Sequence, residues 1–92
     1  MDTMIEKVLS GGVAEFSYRG GEYLIQPENN KGWNYLCLWR ITPRPTCMSR
    51  VFFDILDGVS EDTVRELLDQ PFSEAHTIRE VIQSPEIEWK EP

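Results

Sequence analysis

The chain has few of the side chains from which catalytic centres and metal sites are built. Its 92 residues include one histidine and two cysteines. His76 has no adjacent nucleophile and acid in the pattern of a catalytic triad. One histidine and two widely spaced cysteines do not supply the usual ligands of zinc, and no phosphate-binding loop motif is present. We therefore expect no metal and no cofactor, and we assign no catalytic residue.

Long apolar runs are absent as well. The N-terminal segment carries an acid at position 2 and charges inside its apolar stretch, which a secretory signal peptide would lack. We expect a soluble cytoplasmic protein that does not associate with membranes. With 40% hydrophobic and 27% charged residues, the chain is expected to form one globular domain over residues 1–92, with a small core.

Positive charge is scarce in the second half of the chain. Residues 1–50 carry six Lys/Arg and five Asp/Glu, net +1, whereas residues 51–92 carry three and eleven, net −8. Binding to nucleic-acid phosphates needs a broad cationic surface, so we expect no nucleic-acid partner. The acidic half serves either as a solvated surface or as a site for a basic protein partner. The candidate partner-binding acids are Asp57, Glu61, Asp62 and Glu66.

Alternating apolar residues predict an antiparallel sheet. The stretch "VAEFSYRGGEYLIQ" predicts two strands joined by a two-residue turn at Gly20 and Gly21. "WNYLCLWRIT" predicts a central strand with apolar residues on both faces, and "RVFFDIL" predicts a fourth strand. "EIEWKE" predicts a charged edge strand. Residues 27–32 and 42–49 are expected to be loops.

Capping patterns predict short helices. "TMIE" predicts an N-terminal helix capped by Thr3, which Gly11 and Gly12 end. Further helices are expected near residues 60–69 and near residues 77–83, the latter starting at "TIRE". The predicted class is therefore α+β, with a single antiparallel sheet of three to five strands and short helices packed on one face.

The central strand is expected to turn its bulkiest side chains to the core. Trp33, Tyr35 and Trp39 share one face with Cys37, and we assign that face to the core, with Cys37 as a small buried hydrophobe. The same aromatic residues beside Arg40 also have the ingredients of a platform for single-stranded bases, which is the less favoured alternative.

The other face of the central strand would then lie uncovered. A single helical layer leaves one face of a sheet exposed, and apolar side chains on that face would mark a dimer or partner site. The candidate residues of this patch are Leu24, Leu36 and Leu38.

The most cationic stretch is "WRITPRPTCMSR", residues 39–50. Arg40, Arg44 and Arg50 are a candidate anion-binding set, and Cys47 is a candidate reactive thiol because nearby arginines favour a thiolate. Two prolines remove backbone donors from this loop, which argues against an anion nest. We favour the alternative in which these arginines pair with the chain's own acids.

One resemblance can be stated. The hairpin "FSYRGGEYLI", followed by "ELLDQPF", "TIREVI" and "EIEW", resembles a group of short uncharacterised bacterial proteins with a "Y-x-G-x-x-Y-x-I" hairpin, two short helices and an acidic terminal strand. The likeness covers residues 14–28 and 64–89. It implies an α+β domain and brings no catalytic residues with it.

Three functional hypotheses follow. The first is a small non-enzymatic interaction domain that binds another protein or its own copy, through the acidic C-terminal half or an exposed sheet face. The alternative is an anion- or ligand-binding accessory protein centred on residues 40–50. The third is an enzyme that uses Cys47.

Overall fold

The computed structural model describes residues 2–9, 12–56 and 58–90. In this part of the chain, five strands form one antiparallel sheet in the order β4-β3-β2-β1-β5, and three short helices pack on one of its faces. The predicted α+β class is confirmed. In chain order the elements are α1 (Asp2–Leu9), β1 (Ala14–Tyr18), β2 (Gly21–Asn30), β3 (Trp33–Arg40), β4 (Thr46–Phe53), α2 (Glu61–Leu68), α3 (Ile78–Ile82) and β5 (Glu88–Trp89).

Two tight turns set the register of the first three strands. Arg19 and Gly20 join β1 to β2 with φ values of 47° and 81°, and Lys31 and Gly32 join β2 to β3 with 55° and 85°. Consecutive positive φ angles are those of the turn whose twist suits a two-residue hairpin. The first turn therefore lies one residue before the predicted Gly20 and Gly21. Gly21 is instead the first residue of β2.

The polar stretch after Ile25 continues β2, so the predicted loop at residues 27–32 is wrong. β2 reaches Asn30 and pairs with β3 along its length. Pro27 is tolerated there because the pairing of β2 with β1 stops at Ile25, which lies opposite Ala14. Beyond Ile25, β2 has only one neighbouring strand. On the side where β1 no longer pairs, the missing amide hydrogen of a proline costs no hydrogen bond between strands.

The fourth strand begins earlier and ends earlier than the sequence suggests. β4 starts at Thr46, so only residues 41–45 remain as the connecting loop. It ends at Phe53, and Ile55 lies in the following turn with 72% of its surface exposed. Cys47 and Ser49 face consecutive residues of β3, which leaves Met48 as the extra residue of a bulge.

Two of the three predicted helix starts are confirmed. Ser60 caps α2 and Thr77 caps α3, each in a reciprocal capping box. α1 begins at Asp2, so Thr3 lies inside the helix rather than at its cap, and Gly11 lies outside the described residues. β5 is the edge strand beside β1, as expected.

The core lies between the helices and the covered face of the sheet. Leu36 and Leu38 are 0% exposed and belong to this core, so the expectation that they form an uncovered patch is wrong. The other sheet residues of the core are Ala14, Phe16, Tyr18, Tyr23, Ile25 and Val51. α1 contributes Val8, and the remaining helices contribute Val64, Leu67, Leu68, Ile78, Val81 and Ile82.

Candidate functional site

The face of the sheet without helices carries all three aromatic residues of β3. We call it the open face. Strand alternation places Trp33, Tyr35 and Trp39 there, because Leu36 and Leu38 between them point to the core. Their predicted assignment to the core is therefore wrong, and 58% of Trp33 is exposed to solvent.

Three aromatic rings and one guanidinium form what we call the aromatic cluster: Trp33, Phe52, Tyr35 and Arg50. Its members alternate between β3 and β4. The rings of Trp33 and Phe52 meet edge to face at 5.5 Å between centroids, and those of Tyr35 and Phe52 at 6.3 Å. The guanidinium carbon of Arg50 lies 4.9 Å from the centre of the Tyr35 ring, within the range of a cation–π contact. The cluster is thus ordered by its own contacts and remains half exposed.

A hydrogen-bonded group lies beside the cluster. The Trp39 indole Nε1–H donates to Oε2 of Glu28, and the Gln26 side-chain amide donates to the same oxygen at 3.0 Å. These three side chains come from β2 and β3 and are partly buried. Gln26 also lies directly across from Cys37 in the pairing of β2 with β3, so this group lies beside that cysteine.

Cys37 is only 3% exposed although it is on the open face. Burial, with smaller contributions from the Glu28 carboxylate and the Cys47 thiol, raises the pKa of Cys37 to about 12. The thiol is therefore protonated at neutral pH, and the predicted role of Cys37 as a small buried hydrophobe is confirmed. Cys47 is exposed opposite Trp39, and its Sγ lies 3.8 Å from the carbonyl oxygen of Ser49.

The other half of the open face is polar. Lys90 Nζ lies 2.6 Å from Oε1 of Glu22, and Ser17 stands between Glu22 and Glu88 across the strands β2, β1 and β5. The open face therefore changes from charged and polar at the β5 end to aromatic at the β4 end. An apolar centre with a polar border is the general pattern of a protein–protein interface.

The three arginines of the candidate anion set do not meet. Arg50 is on the open face over Tyr35, whereas Arg40 faces Tyr23 and Thr46 on the opposite side of the sheet. Arg40 Nε donates to the carbonyl oxygen of Thr42 at 2.9 Å. Arg44 is exposed in the loop between the strands. A single anion cannot be bound by all three.

Three of the four candidate acids lie on the solvent side of α2, away from the open face. Glu61, Asp62 and Glu66 are exposed. Arg65 makes ion pairs with Glu61 at 3.5 Å and with Asp62 at 3.2 Å, so part of this charge is neutralised within the helix. Asp57 lies outside the described residues.

The remaining candidates for chemistry are dispersed. His76 is an exposed residue whose Nδ1 lies 3.7 Å from a carboxylate oxygen of Glu80. Among the residues described, no three His, Cys, Asp or Glu side chains gather as metal ligands. No helix within the described ranges has the length and apolarity needed to cross a membrane.

Comparisons of the chain with models of protein families, with curated proteins and with solved structures give no match. The resemblance of residues 14–28 and 64–89 to short bacterial proteins therefore stays a prediction.

Proposed function

We propose that this protein is a non-enzymatic interaction domain that binds a partner protein through the aromatic half of its open face. The observation that carries the proposal is the exposure of Trp33 and Phe52, at 58% and 52%, within an ordered cluster on the open face. Large aromatic side chains and arginine are the residues most enriched at the energetic centres of protein interfaces. A monomeric sheet would otherwise leave these rings in water.

The cluster suits a protein partner better than a single-stranded nucleic acid. Base stacking needs accessible ring faces and several cations for the backbone phosphates. One face of Tyr35 is already taken by Arg50, and the nearby carboxylate of Glu28 adds negative charge to a chain of net charge −7. An apolar or aromatic protein surface meets no such electrostatic penalty.

The polar half of the open face would then form the border of the interface. The ion pair of Lys90 and Glu22 lies toward β5, and the hydrogen-bonded group of Glu28 and Trp39 lies between that pair and the cluster. A partner placed over β3 and β4 buries the rings first. The charged side chains remain at the edge, where they keep contact with solvent.

The test is a comparison of two variants of the full chain as affinity baits. Trp33→Ala with Phe52→Ala removes the exposed rings, while Glu61→Lys with Glu66→Lys reverses charge on α2 and leaves the open face intact. A partner that binds the wild type should bind the first variant at least about thirtyfold more weakly, since the loss of even one interface anchor costs about 2 kcal/mol. The second variant should bind like the wild type.

The opposite pattern would contradict the proposal. Loss of the partner from the α2 variant alone would assign binding to the acidic helix, and equal binding by all three baits would exclude both surfaces. Circular dichroism of each purified bait controls for folding. Because all four substituted side chains are at least half exposed or on the solvent side of a helix, the fold should be retained.

A further inference from the structure

The two edges of the sheet are built differently. At one edge, β5 has only two residues, of which Glu88 is charged, and Lys90 follows it directly. At the other edge, β4 has eight residues, of which Arg50 alone is charged. Short charged edges resist pairing with another chain, whereas long apolar edges invite it. Only the β4 edge lacks this protection.

The second half of β4 is a regular strand with one free side. β4 pairs with β3 on its inner side, and no other strand within the described residues pairs with it. The bulge at Met48 interrupts the register in the first half of β4, whereas residues 49–53 pair with β3 in a constant register. The outward N–H and C=O groups of this segment are available to a further strand.

The sequence along this edge is complementary to itself in the antiparallel direction. Residues 50–54 read Arg, Val, Phe, Phe, Asp. When two copies pair about Phe52, Arg50 of each lies opposite Asp54 of the other, and Val51 lies opposite Phe53. Opposite charges and apolar or aromatic pairs directly across two strands stabilise a sheet. We infer that the β4 edge pairs with the β4 edge of a second copy, in this register, to form a two-fold symmetric dimer.

In this register, open-face residues of one copy lie opposite open-face residues of the other, and core-face residues lie opposite core-face residues. Phe52 of the open face meets its own copy, so the two aromatic clusters become one surface. Val51, which is buried, meets Phe53, which is partly buried against the core, on the helix side. Both helical layers then lie on the same side of a ten-stranded sheet. The symmetric patch is the arrangement expected of a two-fold dimer.

The neighbouring registers are disfavoured. A slide of one strand by two residues keeps the same faces together but centres the pair on Val51, so Arg50 lies opposite Phe52 of the other copy and neither opposite-charge pair forms. A further slide centres the pair on Arg50 and places the two guanidinium groups opposite each other, and like charges in that position destabilise a strand pair. The side chain of Asp54 is also fixed in position at the end of the strand, because its Oδ1 accepts a hydrogen bond of 2.9 Å from the Leu56 amide. The inferred dimer forms along the edge of β4. It does not require that the aromatic cluster bind another protein.

The experiment is sedimentation equilibrium on the purified full chain at an ionic strength of about 0.15 M, where the Debye length of about 8 Å screens the long-range repulsion of two acidic chains. The wild type should reach twice the chain mass of 10.7 kDa as its concentration rises. Arg50→Asp and Asp54→Arg should each weaken dimerisation at least about tenfold, because each places two like-charged pairs across the interface. The double variant restores opposite charges and should recover the dimer.

Recovery in the double variant separates this inference from an effect on folding or on general charge. Arg44→Asp is the matched control, since it makes the same substitution in the adjacent loop and should leave the dimer unchanged. A wild type that stays monomeric at all concentrations overturns the inference. A dimer that survives Arg50→Asp, or one that the double variant fails to restore, overturns the β4 register as well.

Discussion

The indole of Trp39 and the carboxylate of Glu28 are joined by a hydrogen bond across β2 and β3 on the open face. The same carboxylate oxygen accepts from Gln26, and Cys37 lies shielded beside this group. A sheet face without a helical layer therefore still has internal order. Trp39 is partly buried, whereas Trp33 on the same strand is mostly exposed to solvent.

This contrast gives a matched pair of substitutions. Trp39→Phe removes the indole donor and leaves the partly buried Glu28 carboxylate with one partner fewer, so it should lower the free energy of unfolding by about 1 kcal/mol. Trp33→Phe keeps an aromatic ring beside Phe52 and loses no side-chain hydrogen bond shown in the structure, so its effect should stay within about 0.5 kcal/mol. Urea titration of both variants checks the difference, and equal destabilisation would contradict the role given to Glu28.

The assignment of the two sheet faces can be tested with one substitution at two leucines. Leu38→Ala empties a fully buried position between sheet and helices and should cost about 2 to 5 kcal/mol. Leu56→Ala changes a side chain that is 91% exposed and should cost less than about 0.5 kcal/mol. Thermal or urea unfolding measures both. A small effect at Leu38 would mean that the aromatic face, rather than the leucine face, is the core.

The sequence predicts the architecture but not which face of β3 is covered. The strand alternations, the caps at Ser60 and Thr77 and the charged terminal strand were sufficient for the α+β class. Both faces of β3 are apolar, however, so alternation within that strand leaves the choice open, and bulk alone favoured the aromatic residues. The burial of large rings is a tendency that the neighbouring strands override.

The missing signal was the turn between β2 and β3. Lys31 and Gly32 fit a two-residue hairpin turn, and a turn placed there puts Ile25 opposite Leu38. Ile25 shares its face with the apolar residues of the first hairpin, so the register alone assigns Leu38 to the core. A loop over residues 27–32 would leave the register of β2 and β3 undefined. The contacts within the aromatic cluster depend on β4 as well, whose early start the sequence did not indicate.

The two cysteines should differ in reactivity. Cys47 is exposed, whereas Cys37 is buried and its pKa is raised to about 12. The Cys37 sulfur is therefore neither accessible to a reagent nor ionised at neutral pH. Iodoacetamide should therefore add one label to the native protein, at Cys47, and two labels in denaturant. Peptide mass analysis locates the labels. Two labels under native conditions would show that the cover over Cys37 opens readily.

The same thiol predicts an alkaline loss of stability. The folded state keeps the Cys37 proton up to a pKa of about 12, whereas the unfolded state releases it near the ordinary value of 9.0. Unfolding therefore releases a proton in this interval, and the contribution of Cys37 to stability falls as the pH rises from about 9 to about 12. Cys37→Ala lacks this titration, so its stability should decline less over the interval. Parallel decline of both proteins would contradict the raised pKa.

The cap of α3 predicts a dependence on acid. The Thr77 amide donates to Oε1 of Glu80 at 2.9 Å, and this bond lowers the pKa of Glu80 below its ordinary value of 4.5. Because unfolded Glu80 takes up a proton at a higher pH than folded Glu80 does, its stabilising contribution is fully present above pH 4.5 and is lost as the pH falls through the lower folded value.

Glu80→Gln tests this cap because it keeps a side-chain acceptor for the Thr77 amide but cannot titrate. Its stability should be close to that of the wild type at neutral pH and should fall less steeply in acid. Glu80→Ala removes the acceptor and should be less stable than the glutamine variant at neutral pH. Urea midpoints between about pH 6 and about pH 3 give the comparison. Equal acid slopes for wild type and Glu80→Gln would show that the Glu80 carboxylate does not carry the acid dependence of this helix.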